Sequence, residues 1–177
     1  MRRVLALPLL ALVLTSATAI QVPSAVRLGR ETLPAASCAT RETLWIHHYV
    51  AALYVPPSAP PVAALQDPRR AKALQVQILS KTFMPREMPK KYRLALEQTL
   101  DRATLASIQA AWRELAVGDR VMLAYAPGAG LSLQLNERTV ARTARHDVLE
   151  ALLRAWADDE PLTARVNRVV ARHPCRS

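Results

Sequence analysis

The sequence predicts an α+β domain, and two observations carry that prediction. The first is a nearly charge-free run from Thr43 to Val55, rich in β-branched and aromatic residues. Leu44, Ile46, Val50 and Ala52 fall on one side at period two, and Trp45, Tyr49, Ala51 and Leu53 on the other. A run that is apolar on both sides reads as a central strand covered on both faces. Its histidine rings, phenols and indole need partners if buried, so the strand is either pure core or the floor of a pocket. The second observation is order. Strand-like segments come first, then two helical ones, then an antiparallel-looking hairpin, then helices again, which argues against a wound parallel sheet.

The elements follow in chain order. Met1-Arg2-Arg3 is a short cationic start, Val4 to Leu14 is apolar apart from Pro8, and Ala17-Thr18-Ala19 fits a small-x-small cleavage site. Residues 1–19 are thus predicted to be an export signal cleaved after Ala19, leaving 20–177 as one domain, periplasmic in location. Cys38 lies too far downstream to carry a lipid anchor. Ile20 to Thr40, punctuated by Pro23 and Pro34, is expected to be irregular or weakly extended. Pro56-Pro57 and Pro60-Pro61 end the central strand, because proline cannot donate to a ladder. Val62 to Gln66 fits one helical turn.

Leu74, Val76 and Ile78 alternate with Gln75 and Gln77, which predicts a strand with one wetter face. Tyr92, Leu96 and Leu100 repeat at four, giving a short amphipathic helix. Leu105, Ile108, Trp112 and Leu115 give another, with Asp101 or Thr104 as its cap and Gly118 beyond its end. Val121, Leu123 and Tyr125 form a strand face, and Pro127-Gly128-Ala129-Gly130 a turn. Leu131, Leu133 and Leu135 form the next strand, with one solvated side, and a short strand runs through Thr139 and Val140. Leu149, Leu152, Leu153 and Trp156 mark a helix, and Pro161 starts a last one through Leu162, Val166 and Val170.

The chain is basic, with 24 Lys and Arg against 14 Asp and Glu. That balance suits a solvated surface or peripheral contact with an anionic membrane surface. The arginines stand singly among alanines and leucines without aromatic interleaving, so nucleic acid is not expected as a partner. Cys38 and Cys175 are the only cysteines. Either they are bridged, as an oxidising compartment allows, or they are two unrelated thiols. A bridge closing so long a loop contributes about 4–5 kcal/mol in the chain-entropy description.

Familiar catalytic and cofactor motifs are missing. No glycine-rich phosphate loop, nucleophile elbow, HExxH or paired-cysteine site is present, so neither a cofactor nor a metal is expected. His47 and His48 are adjacent and would face opposite ways on a strand. What remains is cationic and phenolic: Arg41 beside the apolar run, Tyr92 next to Lys90 and Lys91, and Tyr49, Tyr54 and Tyr125 on strands. An arginine and a tyrosine converging in an apolar pocket can grip a carboxylate or phenolate, or stabilise charge that develops in a reaction. The alternative is a surface arginine and core tyrosines.

The succession of Arg41, Tyr49-Val50-Ala51-Ala52-Leu53-Tyr54, Gly118-Asp119, Tyr125-Ala126-Pro127-Gly128, Leu152-Leu153 and Trp156 before Pro161 resembles the bacterial exported chalcone isomerase-like proteins. The resemblance spans most of residues 20–177 and lies in the shared order of loose motifs. It implies an open-faced antiparallel β-sheet with helices packed over one face. It also implies one of two activities: closure of a chalcone to a flavanone, as in the plant enzymes, or non-catalytic binding of a fatty acid. In both groups an arginine near the start of the central hairpin holds the anionic part of the ligand, and Arg41 matches it. Tyr92 falls near a functional tyrosine, and Tyr49 stands where the plant enzymes carry a threonine. Ala39-Thr40 and Trp156-Ala157-Asp158 depart from the family pattern.

Arg41, Tyr49 and Tyr92 are therefore the expected ligand-binding residues, with Arg41 at least partly buried beside a cavity. Along straight strand Arg41 and Tyr49 would lie roughly 26 Å apart, so they meet only if the chain reverses near Glu42-Thr43. The expected function is a periplasmic binder of a fatty acid or similar apolar anion. An isomerase of the intramolecular-lyase type and a structural envelope protein without a small-molecule ligand are the alternatives.

Overall fold

The computed structural model describes residues 22–58, 60–82 and 84–157, without the side chains of 41–43 and 156–157. The leader, the helix expected after Pro161 and Cys175 lie outside the described residues. Seven strands form one antiparallel sheet in sequential order. They are β1 (Ala25–Leu28), β2 (Glu31–Thr43), β3 (Ile46–Tyr54), β4 (Lys72–Ile78), β5 (Arg120–Ala126), β6 (Gly130–Leu135) and β7 (Arg138–Thr143). Among the described residues four helices intervene or follow: α1 (Pro61–Gln66), α2 (Lys90–Glu97), α3 (Arg102–Glu114) and α4 (Val148–Ala157). The predicted α+β class and open-faced antiparallel sheet are what the chain adopts.

The helices cover one face. Leu65 of α1, Leu96 of α2, Leu105 of α3 and Leu149 and Leu153 of α4 meet Leu53, Leu123 and Leu131 of the sheet in the main core. Burying that many leucines gives the helices their reason to dock, since α1 and α2 are too short to persist alone. Helix α2 lies against α4, and α3 against β7. The cap of α3 is Asp101, whose carboxylate accepts from the Thr104 N–H at 2.9 Å.

The opposite face is also packed at its centre. Leu33, Ala52, Tyr54, Ala73 and Ala124 form a second cluster, with Val26 and Leu28 of β1 against it. Tyr54 is fully buried, and its hydroxyl donates to the Pro23 carbonyl at 3.0 Å, tying the start of the described chain to the central strand.

Three expectations are corrected. The segment Ile20 to Thr40, expected to be irregular or weakly extended, carries β1 and all of β2 except its last three residues, Arg41 to Thr43. Its small residues have little strand propensity of their own. Pairing with β3, from Ala35↔Tyr54 to Thr43↔Ile46, holds it extended. Secondly, the apolar run is not one strand. Leu44 and Trp45 form a two-residue reversal between β2 and β3, both at positive φ. Thirdly, Gln75 and Gln77 do not line a wet face: both are buried, at 5% and 3% exposure, and neither is without a partner. The second cluster dries the outer face of β4, so these amides are paired inside the protein. Among the described residues no buried side-chain nitrogen or oxygen lacks a hydrogen bond.

Candidate ligand cavity

Between the sheet and helices α2 to α4 lies a cavity of about 490 Å³, within the range of small-molecule sites. Strand alternation builds its floor. Ala51 of β3, Leu74 and Val76 of β4, Leu123 of β5 and Leu133 of β6 all turn inward. Leu96, Leu100, Ile108, Trp112 and Leu152 from the helical side close over them. The Trp112 indole N–H is satisfied by the Pro85 carbonyl at 3.2 Å, which leaves its ring to the cavity wall.

Polar side chains sit mainly at the two ends. At the end nearest the β2–β3 reversal stand His48, Tyr49 and Ser80, and Lys91 and Tyr92 from the start of α2 also line the cavity. The Lys91 ammonium lies 5.3 Å from the centre of the Tyr92 ring, close enough for a cation–π contact. At the far end of β7, Arg142 and Thr143 reach the wall. Among the described residues no group of His, Cys, Asp and Glu could hold a metal ion.

The expected site residues fall as follows. Tyr49 and Tyr92 line the same cavity, one on the floor strand and one on the first covering helix. Arg41 is opposite Tyr49 in the β2–β3 register. The chain reverses at Leu44-Trp45, one step beyond the expected Glu42-Thr43, and this removes the separation that straight strand would impose. The Arg41 side chain lies outside the described residues. Cys38 lies on β2, and Cys175 lies outside the described residues.

Two lining residues escaped the sequence reading. His48 was not named there as a candidate ligand-binding residue, yet it borders the cavity. Arg142 shares the period-two face of Val140, which also lines the cavity. That alternation was the available signal, and a strand read only through Thr139 and Val140 stopped short of it.

No curated protein matched the chain by sequence. Among solved structures it is similar to a fatty-acid binding protein from Arabidopsis thaliana, with a TM-score of 0.54 and 13% identity over 87% of this chain and 93% of that one. At that identity the likeness establishes the fold alone. The profile of the chalcone isomerase-like family matches residues 15–168. The chain therefore belongs to the chalcone isomerase-like family.

Proposed function

We propose that this protein is a non-catalytic periplasmic binder of a fatty acid or a similar elongated apolar anion. The observation that carries the reading is the cavity itself. It is walled by leucine, valine and alanine, carries Tyr49 and His48 at the end nearest the β2–β3 reversal, and takes Lys91 and Tyr92 of α2 into its lining. An apolar chain with a single anionic head matches that distribution, because the chain replaces water against the walls and the head keeps hydrogen-bond donors. The fold is shared with a plant protein described as fatty-acid binding, which supports the same reading. Arg41, opposite Tyr49 in the register, is assigned the head-group cation, with Tyr49 and Tyr92 as hydroxyl donors.

Arg41→Ala is expected to weaken fatty-acid affinity about tenfold or more while leaving the circular dichroism unchanged, since charge-assisted hydrogen bonds contribute roughly 1.5–3 kcal/mol each. Titration of delipidated wild type and variant at matched salt measures it. Equal affinities would remove Arg41 from the site. Absence of binding by either protein would remove the binder reading, and turnover of a chalcone by wild type would replace it with the isomerase one.

Export and a Cys38–Cys175 bridge belong to the same proposal, supported by the leader pattern and by Cys38 and Cys175 being the only two cysteines of the sequence. Protein recovered from the periplasm is expected to begin at Ile20. Its intact mass should rise on reduction by the two hydrogens of one opened disulfide. An intact Met1 on soluble protein, or no mass change, would count against each in turn.

A further inference from the structure

The reversal between β2 and β3 is built from residues that a turn of its kind does not favour. Leu44 and Trp45 occupy it at φ 47° and 58°. Two-residue hairpin turns with both residues at positive φ take Asn-Gly or Asp-Gly, because side chains with a bulky Cβ are strained there. The protein has the polar solution elsewhere. The β6–β7 reversal has the same two-residue form, and Asn136-Glu137 fill it at φ 48° and 70°. There the Asn136 side chain accepts from the Arg120 N–H at 2.9 Å and donates to Asp119 at 2.8 Å. At the β2–β3 tip, by contrast, Leu44 is 63% exposed and Trp45 82% exposed. Neither backbone preference nor internal packing selects these two residues.

Their surroundings show what does. The β3–β4 ladder ends at Tyr49↔Ile78, so the tip overhangs β4. The N–H groups of Leu79 and Ser80 donate to the His48 carbonyl at 2.8 and 3.1 Å, which starts the segment 79–91 beside the hairpin. That segment carries Lys81, Arg86, Lys90 and Lys91 on its exposed surface against one acid, Glu87. Of the acids at this end of the sheet whose side chains are described, Glu87 pairs with Arg113, Glu114 with Arg138 and Glu137 with Arg120, and Asp119 accepts from the Ala116 N–H and the Asn136 amide. Met84, Met88 and Pro89 of the same segment line the cavity, as do His48 and Tyr49. An apolar tip, a cation-rich segment and one end of the cavity therefore share one end of the molecule.

The geometry points to Leu44-Trp45 as a membrane anchor, entering the headgroup layer of an anionic phospholipid bilayer while the cations of 79–91 rest on the lipid phosphates. Tryptophan settles at that depth because its ring is apolar and its N–H stays wet. Lys and Arg beside it hold anionic lipid by charge. A folded protein partner fits less well, since a two-residue convex tip offers far less than the roughly 800 Å² per side of a stable interface. Among the described residues no helix is long and apolar enough to cross a membrane, so the contact is peripheral. The anchor sets one end of the cavity against the bilayer, and it stands whether or not the cavity takes a fatty acid.

The test uses the chain as recovered from cells, without added fatty acid, and vesicles of phosphatidylglycerol mixed with phosphatidylcholine or of phosphatidylcholine alone. Brominated lipid is expected to quench the Trp45 emission, read as the difference between wild type and Leu44→Asn/Trp45→Gly. This difference reports the tip itself, whichever other segment touches lipid. The double variant installs the favoured turn. It should therefore keep or raise the Tm while its affinity for anionic vesicles falls about tenfold or more. Lys81→Glu/Arg86→Glu should weaken binding to the anionic vesicles only, and 1 M salt, with a Debye length of about 3 Å, should do the same. If the double variant folds poorly, Trp45→Ser supplies the same comparison. Unquenched Trp45, or equal vesicle affinity of wild type and tip variants, would overturn the anchor.

Discussion

Replacing Lys72 with methionine is expected to lower the unfolding free energy by about 2–3 kcal/mol. Lys72 opens β4 and is fully buried. Its ammonium donates to the carbonyls of Ala64 at 3.3 Å and Asp67 at 3.1 Å, and to that of Leu65. These are carbonyls at the end of α1, where a helix leaves acceptors without an internal partner. The Tyr125 ring lies 5.2 Å away, and its hydroxyl donates to Pro68 at 2.7 Å. One side chain thus ties the α1 terminus to the sheet. Methionine keeps the volume and removes all three hydrogen bonds, which strips the Ala64 and Leu65 carbonyls of this donor while the Asp67 carbonyl keeps the Arg70 N–H at 3.2 Å. Urea unfolding with an unchanged m-value and a lower midpoint is the expected result. A variant as stable as wild type would mean that desolvating the ammonium costs as much as its three hydrogen bonds return.

The same pair of proteins should differ in their alkaline behaviour. Burial holds Lys72 below the ordinary lysine range, with Asp67 and Glu150 partly opposing it. From the native value up to about 10.4, where the unfolded lysine titrates, the native state binds fewer protons, so stability rises with pH. Burial pushes the Tyr54 phenol the other way, up to about 12. Between about 10 and 12 the native state keeps a proton that the unfolded chain has lost, and stability falls. Lys72→Met should lose the rise and keep the fall.

Filling the cavity from its floor should abolish binding without unfolding the protein. Ala51 is central on β3, between Ala39 of β2 and Val76 of β4, and it faces the cavity. Ala51→Phe places a ring where the proposed apolar chain would run. Displacing three or four methylenes, at about 0.8 kcal/mol each, weakens a fatty acid about a hundredfold. A ring entering open space should change stability by less than the roughly 1–3 kcal/mol of overpacking a filled core. Unchanged affinity would locate the ligand elsewhere, and a large stability loss would show that the space is occupied by the protein itself.

Periodic segments were legible without the structure. The strand at Leu74 to Ile78, the hairpin at Val121 to Leu135, the three amphipathic helices and the Asp101 cap all follow from residue spacing and local hydrogen bonding. The candidates on the floor strand and the first covering helix, Tyr49 and Tyr92, were named through the family resemblance, and both line the cavity. Other features depend on what lies across the chain. Ala35 to Thr40 is a strand because β3 pairs with it. Gln75 and Gln77 are buried because the outer face is dried by side chains from β2, β3 and β5. The reversal at Leu44-Trp45 broke the run from Thr43 to Val55, since residue pattern alone cannot place a turn where the turn residues are themselves apolar. Spacing along one chain determined the elements of this protein, and the family resemblance named its candidate residues. The cavity, the exposed tip and the alignment of Arg41 with Tyr49 were decided by tertiary structure, because each is set by register between strands and by the gap left between a sheet and the helices covering it.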